Sequence, residues 1–506
     1  MVATVSSAIL LGVDGCAVSV EVHVGGGLPS FTIVGLPDLT CREARDRVRA
    51  AVTNSGFTWP GHRITVNLAP TAVRKAGSGL DLPIAIAVLA ADGKLDARLT
   101  AGVAFFGELG LDGSLRRVAG ILPLVAAATG PAVVVPVSCA AEARLPGRHR
   151  VLPATSLRNV VDALRGEAEW VQVPDVLLVP PRSAAEDLRD VRGQAVARLA
   201  VEVAAAGGHH LLLVGPPGAG KTMLARRLPG LLPPLTPEQA LEVTKVHSAA
   251  GLELPPGALV LRPPFRVPHH SASMVALIGG GSGAIRPGEL SCALHGVLFL
   301  DELGEFPSDV LDALRQPLEE GRVVVARARA CLALPARCLL VAAMNPCPCG
   351  GDGAPGGCRC SERARERYAS KVSGPLLDRF DLRVGVDRPE IAELLPGADA
   401  RAESTDVVAA RVTAARERAR ERGVPTNADL PGNRLDEAAP VDGAAARLLE
   451  LRLRQGRLSA RGLHRIRRVA RTVADLRGWD GTVQEEDILT ALALRIEPFA
   501  RQEQAG

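Results

Sequence analysis

Aromatic side chains are scarce in this chain of 506 residues: they make up 3% of it, and tyrosine occurs once. A base-stacking platform for single-stranded nucleic acid needs several exposed rings, so the composition disfavours one. Long apolar runs are also missing, because residues 82–91 fall well short of the roughly 20 residues that a membrane span needs. The first basic residue is Arg42, and we therefore expect no secretory signal, no membrane partner and a cytoplasmic location.

Charge of one sign does not dominate the chain either. Lys and Arg total 59 against 55 Asp and Glu, so the net charge of +4 predicts no polyanion partner by itself. A nucleic-acid site must therefore depend on local patches. The 47% of hydrophobic residues excludes global disorder, and the length predicts about three or four domains.

Blocks of different composition follow one another along the chain. Residues 1–170 contain short apolar strands, glycine-rich turns and helical stretches, and residues 171–186 form a proline-containing linker. Residues 187–390 alternate buried strands with helices, which predicts a parallel α/β sheet. Residues 391–506 are rich in Ala, Arg and Leu and predict helices. The predicted fold class is therefore α/β, with a further domain on each side of the central sheet.

A glycine-rich loop with a lysine is the strongest motif. Residues 215–222 read GPPGAGKT and connect the apolar residues 211–214 to a helical stretch. Backbone N–H groups of such a loop and the helix N-terminus after it surround phosphates. Lys221 would reach the β- and γ-phosphates, and Thr222 would bind Mg²⁺. The predicted nucleotide-binding residues of this loop are Gly215, Pro216, Pro217, Gly218, Ala219, Gly220, Lys221 and Thr222.

Two carboxylates end a second buried strand. Residues 297–300 read VLFL, and Asp301 and Glu302 follow them. In open α/β sheets ligands bind at the carboxyl ends of the strands. We therefore predict that Asp301 holds Mg²⁺ beside Thr222 and that Glu302 polarises the attacking water.

Asn345 and Arg379 are two further polar residues that stand beside apolar segments. Asn345 comes after the apolar residues 339–344, where it fits either a residue that senses the γ-phosphate or orients water, or the start of a turn before Pro346. Arg379 stands among apolar residues and fits either a surface ion pair or an arginine finger that reaches a neighbouring subunit's nucleotide.

Four of the ten cysteines lie within residues 347–360. Cys347 and Cys349 form one C-x-C pair, Cys358 and Cys360 form another, and the residues between the pairs are glycine-rich. Four thiolates suit a structural Zn²⁺ ion, which leaves no open position for catalysis, although the usual spacing in zinc sites is C-x₂-C. Reduced free thiols and redox disulfides are the alternatives.

Several long motifs resemble the magnesium-chelatase-like AAA+ ATPase family, in its ComM/YifB branch. The matching segments are residues 190–194 (DVRGQ), 215–222, 265–273 (FRVPHHSAS), 286–290 (RPGEL), 296–302, 344–350 (MNPCPCG) and 373–381 (SGPLLDRFD). The resemblance implies an AAA+ P-loop NTPase core in residues 187–390 and a C-terminal helical lid, the sensor-2 domain, in residues 391–506. It also implies a Lon-protease/ribosomal-S5-like α+β domain in residues 1–170.

The same resemblance implies roles for individual residues. Asn345 would be the sensor-1 residue, Arg379 the finger that acts on the neighbour, and Arg461 the sensor-2 residue. Members of the family form hexameric rings with ATP between subunits, and the ComM branch is described as an ATP-driven DNA branch-migration helicase. We therefore expect ATP and Mg²⁺ as cofactors, a homo-hexamer, DNA as a partner, and residues 271–288 as an insert that projects into the ring pore.

The resemblance to Lon raises a protease hypothesis, which the residues oppose. Gly79 stands where the Lon serine would be, and Leu122 stands where its lysine would be. A serine nucleophile needs an adjacent base, and Leu122 cannot serve as one. His269 and His270 could be taken for metal ligands. Adjacent residues point apart in a strand, however, and no Glu-x-x-His pattern surrounds the pair, so we do not predict a metal site there. A basic face or an ordinary solvated surface could be formed by Arg74, Lys75, Arg116 and Arg117.

Residues 452–477 contain nine arginines and one acid. The helical spacing of Leu463, Ile466, Ala470 and Val473 predicts a face that packs on the core. The arginines would then either neutralise DNA phosphates or form ion pairs with the adjacent module.

Two other functions stay open beside the DNA motor. One is a chelatase-type motor subunit, against which stand the long N-terminal domain and the cysteine-rich loop, so we favour no porphyrin partner. The other is an ATP-dependent protein-remodelling factor without a DNA role, which nothing in the sequence excludes.

Overall fold

The computed structural model describes residues 1–75, 77–174, 186–255, 257–281, 285–327, 330–351, 358–389 and 402–496. Most of the predicted linker, residues 171–186, lies outside these ranges. In the parts of the chain that the structure describes, no helix combines the length and the apolar character that crossing a bilayer requires.

The N-terminal region is built on a seven-stranded mixed sheet with the order β3-β4-β2-β1-β5-β8-β9. Its strands and a small ribbon (β6 with β7) are β1 Val2–Leu11, β2 Asp14–Gly25, β3 Ser30–Val34, β4 Arg63–Ala69, β5 Val103–Phe105, β6 Glu108–Leu109, β7 Leu115–Arg116, β8 Ala132–Pro136 and β9 Arg150–Ala154. Its helices are α1 Leu39–Asn54, α2 Asp81–Ala91, α3 Ile121–Ala127, α4 Ala140–Arg144 and α5 Leu157–Arg165.

Both faces of this sheet are covered. Side chains alternate between faces along a strand, and Val134 of β8 packs into one core while its neighbours Val133 and Val135 pack into the other. The apolar run at residues 82–91 lies in α2, which is buried along its whole length against β1 and β2. The likeness of this region to the Lon/S5 fold stays a prediction.

The central region contains a five-stranded sheet and two short hairpins. Its strands are β10 Leu211–Val214, β11 Phe265–Arg266, β12 Gly279–Gly280, β13 Arg286–Pro287, β14 Val297–Leu300, β15 Arg322–Arg327, β16 Ala330–Pro335, β17 Leu339–Met344 and β18 Leu382–Gly385. Its helices are α6 Ala195–Gly207, α7 Lys221–Leu231, α8 Pro237–Ala250, α9 Met274–Ile278, α10 Glu289–Cys292, α11 Ser308–Asp312, α12 Arg315–Glu320, α13 Glu362–Ala369 and α14 Gly374–Leu377.

The five-stranded sheet has the order β11-β14-β17-β10-β18, and every neighbouring pair is parallel. Leu211 of β10 pairs with Val341 of β17 on one side and with Leu382 of β18 on the other. The prediction of a parallel α/β sheet is therefore confirmed. All carboxyl ends of its strands meet at one edge, and all amino ends meet at the opposite edge.

The C-terminal region consists mainly of helices between residues 402 and 496. They are α15 Thr405–Glu421, α16 Leu435–Ala438, α17 Gly443–Arg454, α18 Ala460–Leu476 and α19 Glu485–Ala493. Helix α15 packs on α6 and α7, and α18 packs on α6. Ile466 and Ala470 are fully buried, as their spacing predicted. The domain boundaries and the role of this region as a lid stay predictions.

The N-terminal region docks on helix α8 of the central region. The N–H of Gly120 donates to the carbonyl of Ser248 over 2.9 Å, and the Ser248 hydroxyl donates to the carboxylate of Glu142. Glu142 is 5% exposed, and burial raises its pKa. Arg117 lies 3.7 Å from Glu142 and donates to the carbonyl of Leu252.

These contacts correct the idea of a basic face in the N-terminal region. Lys75 is fully buried, where its Nζ donates to the carbonyl of Pro70 and burial lowers its pKa. Arg117 is engaged at the interface with the central region. Arg74 and Arg116 remain exposed, but two arginines do not make a patch. Spacing along the chain could not reveal which of these cations face inwards.

Candidate nucleotide site

The glycine-rich loop lies at the carboxyl edge of the sheet, between β10 and α7. Gly218 and Gly220 have φ angles of 78° and 91°, in the left-handed region that favours glycine. Helix α7 begins at Lys221, so its free N–H groups point towards the loop. Residues 215–222 therefore have the geometry of a phosphate-binding loop.

Lys221 is folded back onto this loop. Its Nζ donates to the carbonyls of Gly215 and Pro216 over 2.7 and 2.9 Å and to Oδ1 of Asn345 over 3.1 Å. Burial lowers the pKa of Lys221, and the charges of Asp301 and Glu302 act in the opposite direction. A cation in this position can exchange its carbonyl partners for phosphate oxygens.

The predicted magnesium ligands meet across two strand ends. The Thr222 hydroxyl donates to Oδ2 of Asp301 over 2.8 Å. Asp301 follows β14, and Thr222 is the second residue of α7, so the two oxygen ligands come from segments 79 residues apart. A hydroxyl and a carboxylate of this kind suit Mg²⁺.

Glu302 adopts a conformation that is rare for its residue type. Its φ is 54°, in the left-handed region, and its side chain is 58% exposed. Such strained residues cluster at functional sites. The conformation turns its carboxylate towards the carboxyl edge of the sheet, where Oε2 lies 3.3 Å from Nδ1 of His270.

Asn345 stands between the two motifs because its strand, β17, lies between β14 and β10. Its amide oxygen accepts from Lys221, which is a contact that the sequence did not predict. The structure thus brings Lys221, Thr222, Asp301, Glu302 and Asn345 to one edge of the sheet.

Arg379 lies at the opposite edge. It precedes β18, whereas the glycine-rich loop follows the adjacent parallel strand β10. A strand of four residues is about 13 Å long, so Arg379 points away from the loop of its own chain. Its guanidinium pairs with Glu319, which is the surface ion pair that was one of its two predicted roles.

Arg379 lines a cleft of about 820 Å³ along the amino edge of the sheet. Arg465 of α18 lines the same cleft and lies 3.4 Å from Asp381 and 3.7 Å from Asp378. Burial tends to raise the pKa of Asp381, but the hydrogen bond and charge of His209, with further cationic neighbours, lower it overall.

Arg461 lies one helical turn before Arg465, and its side chain is exposed. Residues four apart share a helix face, so Arg461 also belongs to the amino edge. Its predicted contact with a phosphate stays a prediction.

The other arginines of residues 452–477 are mostly engaged in ion pairs. The described pairs are Arg454 with Glu450, Arg467 with Asp436, Arg471 with Asp475, and Arg477 with Glu486 and Asp487. Most of these acids belong to the C-terminal helices themselves, and only Arg465 pairs with the central region. Among the described residues, the predicted ion pairs with the adjacent module are therefore found for Arg465 alone, and the DNA-binding alternative stays a prediction.

The four clustered cysteines converge in space. The sulfur of Cys347 lies 3.3 Å from that of Cys349 and 3.5 Å from that of Cys358, and Cys349 lies 3.7 Å from Cys358. With Cys360, all four sulfur atoms lie within 4.8 Å of one another. All ten cysteines of the chain are free thiols, which does not support the disulfide alternative.

Sequence reasoning missed the contact between His270 and Glu302. It considered His270 only as a metal ligand, although the residue follows β11, the strand next to β14, which Asp301 follows. A polar residue beyond the neighbouring strand was the available signal. Glu319, the anionic partner of Arg379, left no pattern in the sequence, and the motif 373–381 contained Asp381 without indicating its pairing with Arg465.

Family models match most of the chain. A model described as "Magnesium chelatase, subunit ChlI" matches residues 187–394. Models described as "Subunit ChlI of Mg-chelatase" and "Magnesium chelatase, subunit ChlI C-terminal" match residues 20–138 and 402–495.

Three relatives are similar over nearly the whole length. An uncharacterized protein of Mycobacterium tuberculosis is 47% identical over 479 residues, which cover 93% of this chain and 94% of the relative. The competence protein ComM of Haemophilus influenzae is 44% identical over 485 residues, 94% of each chain. The uncharacterized protein YifB of Escherichia coli is 43% identical over 486 residues, 95% of this chain and 93% of the relative.

Proposed function

From its membership of the magnesium-chelatase family, with ComM and YifB among its relatives over nearly the whole length, we propose that this chain is an ATP-hydrolysing ring motor. In this proposal the motor moves DNA strands in the cytoplasm. The observation that best supports the ATPase part is the convergence of Lys221, Thr222, Asp301 and Asn345 at one edge of the sheet. ATP and Mg²⁺ are the proposed cofactors.

Each residue of that edge has a distinct proposed role. Lys221 and the loop N–H groups bind the β- and γ-phosphates, and Thr222 with Asp301 hold Mg²⁺. Glu302 orients and polarises the attacking water, and Asn345 positions the γ-phosphate through the amide that now accepts from Lys221. Mg²⁺ neutralises charge that develops on the phosphates when it is bound.

The remaining half of the catalytic machinery comes from a second subunit in this proposal. Arg379 and Arg465 lie at the amino edge, away from the loop of their own chain, and the exposed Arg461 stands one helical turn before Arg465. A head-to-tail ring sets the amino edge of one subunit against the carboxyl edge of the next. Arg379 then leaves Glu319 and stabilises the transition-state charge, with Arg461 as the sensor-2 residue. A homo-hexamer is the proposed assembly.

The proposed DNA substrate follows from the likeness to ComM, whose printed name is that of a competence protein. The insert at residues 271–288 supports it. Met274 and Val275 of its short helix are 41% and 53% exposed, and Arg286 is exposed on the hairpin beside it. Contacts of this kind would be made to the DNA backbone with little sequence preference.

ATP hydrolysis measured with forked, Holliday-type and single-stranded DNA over a salt series tests the proposal. We expect stimulation by branched DNA that weakens as salt rises, because phosphate contacts release counterions. Arg286→Ala should lower the stimulation and leave hydrolysis without DNA unchanged, with Arg98→Ala as an exposed control from the N-terminal region. Hydrolysis that no DNA stimulates would contradict the DNA part and favour a protein-remodelling factor, and metallation of a porphyrin with partner subunits would favour a chelatase motor.

A further inference from the structure

The cysteine cluster has the dimensions of a metal centre. A tetrahedral site with Zn–S bonds of about 2.3 Å has sulfur–sulfur edges of about 3.8 Å. The measured separations of 3.3, 3.5 and 3.7 Å approach that edge. Four free thiols held this closely would otherwise gain no more than weak S–H contacts. We propose that Cys347, Cys349, Cys358 and Cys360 bind one Zn²⁺ ion that clamps the nucleotide-binding loop from behind.

The cluster is attached to the nucleotide site on its upstream side. Cys347 is 2% exposed and stands two residues after Asn345, whose amide contacts Lys221. Gly350 has a φ of 71° and packs directly on the glycine-rich loop, since a Cβ added there would lie 2.6 Å from Cγ of Pro217. The backbone that directly follows the first two ligands thus packs against the ring of Pro217 in the loop.

The cluster is attached to the second motif on its downstream side. Helix α13 begins two residues after Cys360, and its Tyr368 ring packs on Gly304, where an added Cβ would lie 2.4 Å from Cζ. Lys371 Nζ donates to the carbonyl of Gly304 over 2.8 Å. Gly304 follows Asp301 and Glu302 closely, so the ion joins the segments that carry both nucleotide motifs.

Because the ion joins the segments that carry both nucleotide motifs, zinc binding and nucleotide binding are coupled. This inference rests on the proposed ATP site. The ion joins the first cysteine pair to the second and holds Asn345 and Gly350 in place against Lys221 and Pro217. Without the ion these two contacts are held less firmly, and ordering them when ATP binds lowers the affinity for ATP. By thermodynamic linkage, bound nucleotide raises zinc affinity by the same factor.

Metal analysis of the full chain and fluorescent-nucleotide binding test both parts. We expect one zinc per chain, and Cys349→Ser should lose it, because Cys349 is exposed and its replacement removes a ligand without emptying a core position. Nucleotide affinity should fall about tenfold in that variant, within the range usual for coupled sites. Cys331→Ser, an exposed thiol outside the cluster, should change neither quantity.

Gly350→Ala tests the clamp without touching a ligand. The variant should keep one zinc per chain and bind nucleotide more weakly, because the added methyl group displaces Pro217. Gly456→Ala is the matched control, since Gly456 also has positive φ but has no atom within 4 Å of the added Cβ. Circular dichroism of each variant checks that the fold persists.

The outcomes separate this inference from the proposed function, because neither readout requires hydrolysis or DNA. Free thiols or iron in place of zinc would overturn the metal site. Zinc with equal nucleotide affinity in its presence and absence would overturn the clamp and leave the ATPase proposal standing. Zinc in a chain that binds no ATP would refute the ATP site and, with it, the coupling.

Discussion

The two edges of the central parallel sheet differ in how complete they are. At the carboxyl edge, Lys221 already contacts Asn345 and Thr222 already contacts Asp301 within one chain. At the amino edge, Arg379 and Arg465 line an open cleft and pair with acids that are not part of the nucleotide site. One edge therefore gathers the residues that we propose bind the phosphate chain, whereas the other presents cations that, in the proposed ring, act on another subunit.

Replacing Arg379 should have the largest effect and bears directly on this contrast. We expect Arg379→Ala to bind nucleotide normally and to lower kcat by about 1,000-fold, as loss of an arginine finger does. Turnover and nucleotide binding measured on the same preparation check this, with Arg98→Ala as an exposed control.

A mixture of two inactive variants tests whether the amino edge serves a neighbour. Arg379→Ala supplies an intact loop, and Lys221→Ala supplies an intact Arg379. Random assembly of equal amounts should restore about one quarter of the interfaces in a head-to-tail ring. A mixture no more active than its components would argue that Arg379 acts within its own chain or does not act at all.

Replacing Glu302 should have the next largest effect and should be confined to chemistry. Glu302→Gln keeps the shape of the side chain and removes the carboxylate that polarises water. We expect unchanged ATP affinity and a decrease of about 100-fold or more in turnover, since general acid–base groups contribute at least that much. Turnover like that of the unmodified protein would remove Glu302 from this role.

Replacing Lys221 should weaken the carboxyl edge at the binding step. Charge-assisted hydrogen bonds contribute about 1.5–3 kcal/mol each, so Lys221→Ala should lower nucleotide affinity by at least about 100-fold once two are lost. Equilibrium binding of a fluorescent ATP analogue measures this. Affinity that survives the substitution would contradict the phosphate role of Lys221.

The smallest predicted effect is a pH dependence at the amino edge. The Leu340 N–H donates to Nδ1 of His210 over 3.0 Å, so this nitrogen carries no proton in the fold. Burial lowers the pKa of His210 from 6.5; the charge of nearby Asp381 opposes the shift, and His209 and Arg379 add to it. The unfolded chain therefore takes up the proton more readily, and stability is lost as pH falls below about 6.5.

His210→Asn keeps an oxygen that can accept from Leu340 but does not titrate. Between pH 7.5 and 5.5, the midpoint of thermal unfolding should fall further in the unmodified protein than in this variant. The extra decrease should be about 2–4 °C for each kcal/mol of unfolding free energy that the protonation of His210 removes. His62→Asn, at an exposed position, should follow the unmodified protein. Parallel pH curves for the unmodified protein and His210→Asn would contradict the role of His210.

Much of the carboxyl edge could be predicted because its residues stand at fixed places in the chain. Each predicted residue of that edge directly follows an apolar strand or begins the next helix, and parallel strands bring such positions together. The contact of Asn345 with Lys221 could not be predicted, because it depends on β17 lying between β14 and β10. Cysteine spacing predicted a cluster, and the sulfur separations required the fold.

The amino edge and the charged surfaces were harder to predict. The sequence allowed two roles for Arg379, a surface ion pair or an arginine finger. No nearby residue indicated that Glu319 would be its partner. It counted Lys75 among surface cations, although the fold buries it fully. One of its two alternatives for the C-terminal arginines was pairing with acids of the adjacent module, whereas most of the acids they pair with belong to the C-terminal helices.

The sequence by itself determined which chemical groups form the proposed nucleotide site, because short motifs carry those groups and their local strand–loop–helix context orients them. Only the tertiary structure decided the direction in which the arginines face, the burial of Lys75, and the contact of the cysteine loop with Pro217. These properties depend on residues far apart in the chain, whose approach is set by the packing of whole strands and helices.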